Sequence, residues 1–181
     1  MNRELAAKAH YKKVADHMKS QFLTREGLKG ILVGGPIPTK EEFLEEGNLV
    51  TRLKEKVMAV KDIGYVDEHG LDLLVESSQD DIAEQEIIKE KKIVEKFFNT
   101  LGKDSSKAVY GEEKVSLALE RGAVDILLLS TNLEKSEIAE LEKKALNIGS
   151  SVVLISDETE EGAQFYNMTK GFGAILRFPL E

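Results

Sequence analysis

The chain has 181 residues, 41% of them hydrophobic and 32% charged, with a formal net charge of −8 and no cysteine. That length suits one ordinary domain or two small ones, and the missing cysteine excludes disulfides, thiolate metal sites and cysteine nucleophiles. No apolar run approaches the roughly 20 residues of a membrane span, and MNRELAAKAHYKK lacks the apolar core of a signal peptide, so the expectation is a soluble cytoplasmic protein.

The charge is uneven. Residues 1–29 hold seven Lys or Arg against Glu4, Asp16 and Glu26, so a basic first element precedes an acidic body. Such an element can sit near phosphate, or simply be a solvated helix face. Leu5, Tyr11, Val14, Ala15, Met18 and Phe22 recur at helical spacing, which predicts an amphipathic helix stopping before Gly27. Residues 28–33 read as a buried strand, punctuated by Gly34, Gly35 and Pro36. Thr39 and Glu42 have capping-box spacing and predict a short helix from Lys40. Leu49, Leu53, Val57 and Val60 share a stripe and predict a helix over 49–60, with a second strand at 61–65 that Gly64 weakens.

From 70 to 101 the pattern is helical without a break. It predicts one long helix, with a domain boundary inside it near Ile87 and Gly102 at its end. Strand-like and helical segments then alternate: a strand at 107–110, a helix at 112–121 stopped by Gly122, and the buried-type run VDILLL at 124–129. Ile138, Leu141, Ala145 and Ile148 mark a helix ended by Gly149. A strand at 151–155 follows, then Asp157 and Glu160 at cap spacing before a helix with Phe165 and Met168. Gly171 ends that helix, and 174–178 is a final strand. Such alternation implies an α/β fold with a mainly parallel or mixed sheet and helices on its faces.

Residue chemistry points to no catalytic site. A phosphate-binding loop needs a lysine and a hydroxyl directly after its last glycine, where Pro36 stands without an N–H. His10 and His17 are seven apart, whereas paired zinc ligands on a helix sit four apart, and His69 is isolated. Adjacent carboxylates such as Glu41-Glu42, Asp80-Asp81 and Glu160-Glu161 diverge by about 100° on a helix. No serine occupies a G-x-S-x-G elbow. The expectation is no metal, no cofactor and no enzyme.

Four stretches, in order, resemble the class-1 peptide chain release factors of archaea and eukaryotes. They are LKGILVGGPIPTKEEF, then KVMAVKDIGYVDEHG running into GLDLLVESSQDDIAEQEIIKEKKIVEKFF, then ALERGAVDILLLS, and last ISDETEEGAQFYNMTKGFGAILRF. The resemblance implies that 1–87 is the last part of the middle domain, an incomplete α/β lobe. It implies that 88–181 is the C-terminal domain, a mixed sheet between helices like ribosomal protein L30e, and that a long helix joins the two. In that family a Gly-Gly-Gln loop precedes the first helix, and a separate domain reads the stop codon; neither is expected here, so the chain should not release peptides alone. Many relatives insert a small, often zinc-binding lobe after the VDILLL-type strand, where STNLEKS here leads straight into a helix.

The implied partners are a translational GTPase like elongation factor 1A, the recycling ATPase, and the ribosome with its RNA, with no role for a membrane or DNA. The GTPase-facing patch implied is Phe97, Phe98, Gly171, Phe172, Gly173, Ile175, Leu176 and Arg177. Adjacent aromatics on a helix cannot share one face, so one of Phe97 and Phe98 is expected inside. Arg3, Lys8, Lys12 and Lys19 are the residues implied to face ribosomal RNA. Two other readings stand beside this one: a Pelota-like ribosome-rescue factor, and an unrelated α/β enzyme or small-molecule binder.

Overall fold

Asn2 opens the first helix of the computed structural model, which describes residues 2–180. Its side chain accepts from the Glu4 N–H, and α1 runs over Arg3–Phe22. Contacts divide the chain into two units, one reaching Gln85 and the other beginning at Glu86.

In the first unit, β1 (Ile31–Gly35) lies parallel to β2 (Val57–Asp62), with Gly35 opposite Asp62. Around them stand α1, α2 (Thr39–Glu46), α3 (Thr51–Lys54) and α4 (Glu68–Ser77). Tyr11 and Ala15 of α1 close over Ile31, Phe43, Leu49 and Leu53 to form the core. Tyr11 meets Phe43 edge-on, with ring centroids 6.3 Å apart.

Three expectations fail here. The stripe at 49–60 is not one helix: α3 covers only Thr51–Lys54, and Val57 opens β2. The run Val57-Met58-Ala59-Val60 is apolar enough for either state, and pairing with β1 decides it. The capping box does not form, because α2 begins at Thr39 itself without a side-chain cap. Glu42 instead accepts the Tyr11 hydroxyl at 2.6 Å. Finally, the helix expected over 70–101 is two helices. Asp67 caps α4 by accepting from the Gly70 N–H at 3.0 Å, and the chain breaks at Ser78 before α5 (Gln79–Lys103). Ser78 is buried, and its hydroxyl has no hydrogen-bond partner among the described residues.

Helix α5 carries the chain into the second unit. After a 3-10 turn at Ser105–Lys107 come β3 (Ala108–Tyr110), α6 (Glu112–Glu120), β4 (Val124–Ser130), α7 (Lys135–Asn147), β5 (Ser151–Ile155), α8 (Glu160–Thr169) and β6 (Phe172–Leu176). The sheet order is β3-β6-β4-β5; β4 and β5 are parallel, and β6 is antiparallel to both its neighbours. Alternation along the strands separates two cores. Leu127, Leu129, Phe172, Ala174 and Leu176 face α6 and α7. Leu128 and Ile175 face Val94 and Phe97 of α5 and Phe165 of α8. The mixed sheet between helix layers is the expected architecture. The final strand sits two residues earlier than expected, and Thr159, not Asp157, caps α8 by accepting from the Gly162 N–H at 3.0 Å.

Candidate docking surfaces

On α1, Lys8, Lys12 and Lys19 are exposed. At 100° per residue they share a sector of about 40°, beside the buried stripe of Tyr11 and Ala15, while Arg3 lies well round the helix. Lys8 is 3.7 Å from Glu4. The helix is tied to α2 by the Tyr11–Glu42 hydrogen bond. That bond, with burial and the negative charges of Glu42 and Glu46, pushes the tyrosine pKa up from 10.0 to about 12. Tyr11 is therefore a neutral donor over the whole physiological range.

The first turn of α2 holds a feature invisible at the sequence level. Lys40 is buried, with its side chain 3% exposed. Its ammonium group pairs with Asp62, at the end of β2, and lies 2.7 Å from Glu41. Burial alone lowers a lysine pKa, but the paired carboxylates of Asp62 and Glu41 outweigh it and hold this group above its usual range. The lysine thus joins the start of α2 to the carboxyl ends of both strands. No periodicity marks Lys40 as special; it packs over Gly35, where a Cβ would stand 3.7 Å from the Lys40 Cβ, an ordinary contact distance.

In the second unit the expected partner patch divides. Phe97, Gly171, Phe172, Gly173, Ile175 and Leu176 are all buried, Phe98 is half-buried and Arg177 is exposed. Phe97 stacks edge-on with Phe165, centroids 5.6 Å apart, and touches Phe98 at 5.5 Å. A Cβ on Gly173 would stand 2.8 Å from the Phe165 ring and 3.2 Å from Phe97. The glycine is there because two aromatics occupy the space. Gly171 has φ +100°, a region that only glycine enters freely. Arg177 donates to the carbonyls of Ile148 at 3.1 Å and Gly149 at 2.8 Å, capping the open end of α7. The GFGAILRF stretch is thus built mainly as a central strand and a helix cap. Among the described residues, no three His, Cys, Asp or Glu side chains converge to hold a metal, and no helix is long and apolar enough to cross a membrane.

The fold places the chain among two-unit mixed α/β proteins, and sequence comparison narrows that class. The profile of eRF1 domain 2 matches residues 2–84, and that of eRF1 domain 3 matches residues 87–180. The chain belongs to the eRF1 family of class-1 peptide chain release factors. Peptide chain release factor subunit 1 of Thermococcus sibiricus is 38% identical over 228 aligned positions, covering 99% of this chain and 55% of that protein. The same factor of Pyrobaculum aerophilum is 36% identical over 177 positions, covering 98% of this chain and 46% of that protein. The chain spans about half the length of the curated relatives it matches. The longer alignment exceeds the 181 residues here, so the Thermococcus protein carries several tens of residues with no counterpart, whereas the Pyrobaculum alignment has no such excess. A model of ribosome-bound archaeal Pelota and ABCE1 superimposes with a TM-score of 0.70 at 25% identity, covering 96% of this chain and 50% of that chain.

Proposed function

We propose that this chain is the interaction portion of a class-1 peptide chain release factor, serving translation termination at the ribosome in the cytoplasm. The supporting observation is the ordered pair of matches, eRF1 domain 2 over 2–84 and eRF1 domain 3 over 87–180. No Gly-Gly-Gln tripeptide occurs in the 181 residues, so the reading gives them a role in binding and none in peptide release. The second unit is the module that docks a translational GTPase like elongation factor 1A, or the recycling ATPase. Because six of the eight patch residues are buried, direct contact falls to the exposed edge of Phe98 and to the surface around Arg177. The buried members hold that surface from beneath. Lys8, Lys12 and Lys19 of α1 face ribosomal RNA. The extra residues of the Thermococcus protein correspond to the small lobe, and the β4–α7 turn at 131–134 is where this chain goes without it.

Titration of the chain against a purified archaeal GTPase of the elongation-factor type, and against the recycling ATPase, tests the docking role. Binding to at least one is expected, weakened about tenfold by Phe98→Ala. Failure to bind either would end the proposal. The superposition on ribosome-bound Pelota keeps a rescue factor as the second reading. Peptide release by the full-length gene product at stop codons favours termination; ribosome splitting without release favours rescue.

A further inference from the structure

Helix α5 has a second face that the fold does not use. Val94 and Phe97 point into the second unit's core, with Leu101 packed beside them. Lys89, Lys92, Lys96 and Lys103 are all exposed, and at 100° per residue they fall within a sector of about 60° on the opposite side. Asn99 and Thr100 flank that sector at about 20° on either side, and no carboxylate or apolar side chain of α5's second-unit portion enters it. None of the four lysines lies within 4.0 Å of a carboxylate among the described residues, whereas Lys91, on the flank, does reach Glu161 at 4.0 Å.

Lysines three and four apart on a helix repel, and a carboxylate three or four residues away relieves them only where the two pair. Glu86 and Glu95 stand three residues from Lys89 and Lys92, yet neither comes within 4.0 Å of them among the described residues. Lys103 is accounted for by the helix C-terminus, but Lys89, Lys92 and Lys96 lie far from it. Between the lysines is an open depression of about 420 Å³, with Asn99 and Thr100 in its wall. Two acids border it. Glu95 stands about 100° round from Lys96. Asp104 is engaged by the Ser106 N–H and hydroxyl at 3.3 and 2.5 Å.

We propose that this face of α5 binds the phosphate backbone of RNA. Four point charges span about 21 Å of helix, the reach of several successive phosphates. An acidic protein segment would need apolar anchors between its charges, and the sector offers none. No aromatic side chain stands among the lysines to stack a base, so the binding is independent of sequence. The inference rests on charge and geometry, and loss of the GTPase-docking reading would leave it standing.

Fluorescence anisotropy of the full chain with a labelled RNA hairpin, across a salt series, tests it. The variant Lys92→Gln/Lys96→Gln/Lys103→Gln is compared with Lys114→Gln/Lys135→Gln/Lys143→Gln, which removes the same charge from exposed positions on α6 and α7. Circular dichroism checks that both are folded. The α5 variant is expected to bind about tenfold more weakly or worse near 100 mM salt, with the slope of log affinity on log salt reduced by about two to three. The α6/α7 variant should stay within about twofold of the parent. The proposal is overturned if the parent chain does not bind the hairpin, if the α5 variant binds as the parent does, or if the α6/α7 variant loses as much. Displacement of the hairpin by polyglutamate as readily as by unlabelled RNA of equal charge also overturns it.

Discussion

Lysine is among the residue types least often found fully buried, and it goes inside only with its charge met. Lys40 meets that condition through Asp62 and Glu41, both of which keep contact with water on their outer sides. The pair is therefore cheaper than one sealed in a core, where desolvation of two ions is hard to recover. What the lysine supplies is position: its stem fills the space over Gly35, and its head fixes where β2 ends. Lys40→Ala is expected to lower the melting temperature, and Lys40→Met, which replaces the stem without the charge, to recover most of the loss. Equal losses in both variants, measured by thermal circular dichroism, would mean that charge matters more than packing. The Ser78 hydroxyl differs, being a buried polar atom with neither an ion pair nor a hydrogen-bond partner among the described residues, where α4 gives way to α5.

At the scale of elements, the second unit was far more legible than the first. Its strands are bounded by glycines at positive φ, such as Gly122 and Gly149, and its helices carry clean apolar stripes. The first unit packs short elements around two strands, and there the local signal misleads. Val57 and Val60 continue a helical stripe that tertiary pairing overrides, and Glu42 leaves its expected cap for Tyr11. The partner patch could be read as a stretch of sequence but not as a surface. Periodicity cannot tell a strand flanked on both edges from one facing a partner, and β6 is flanked on both. The four lysines of α5 follow in charge the three-, four- and seven-residue spacing that apolar residues follow on a helix.

The contact of Gly173 with Phe97 and Phe165 gives the element-scale prediction. Gly173→Ala would overfill that space, at a cost of about 1–3 kcal/mol. Adding Phe165→Leu should return part of it. Chemical denaturation of the single and double variants checks this, and simple additivity of the two losses would show that the glycine is not constrained by the ring.

For the molecule as a whole, the two units should respond differently to alkali. Tyr11 has a raised pKa, so the folded state favours its neutral form; that stabilisation is complete below about pH 10 and fades as the pH rises toward 12. Lys40, also raised, favours its charged form when folded and loses its contribution in the same direction, above the ordinary lysine range. Both groups belong to the first unit, whose sheet has two strands. Its side-chain methyl resonances, which do not exchange with water, are expected to collapse to unfolded positions within that window, and Tyr11→Phe should flatten the part of the pH dependence owed to the phenol. Unchanged first-unit spectra near pH 12 would contradict the assignment.

The central position of β6 has a consequence for how the protein comes into being. The strand that joins β3 to β4 is the last of the six to be synthesised. While Phe172–Leu176 is still inside the ribosomal exit tunnel, β3 has nothing to pair with, and the β4–β5 pair shows an unshielded flank to solvent. The second unit must therefore wait for its own keystone, and a nascent chain stalled upstream of it would be a target for chaperones.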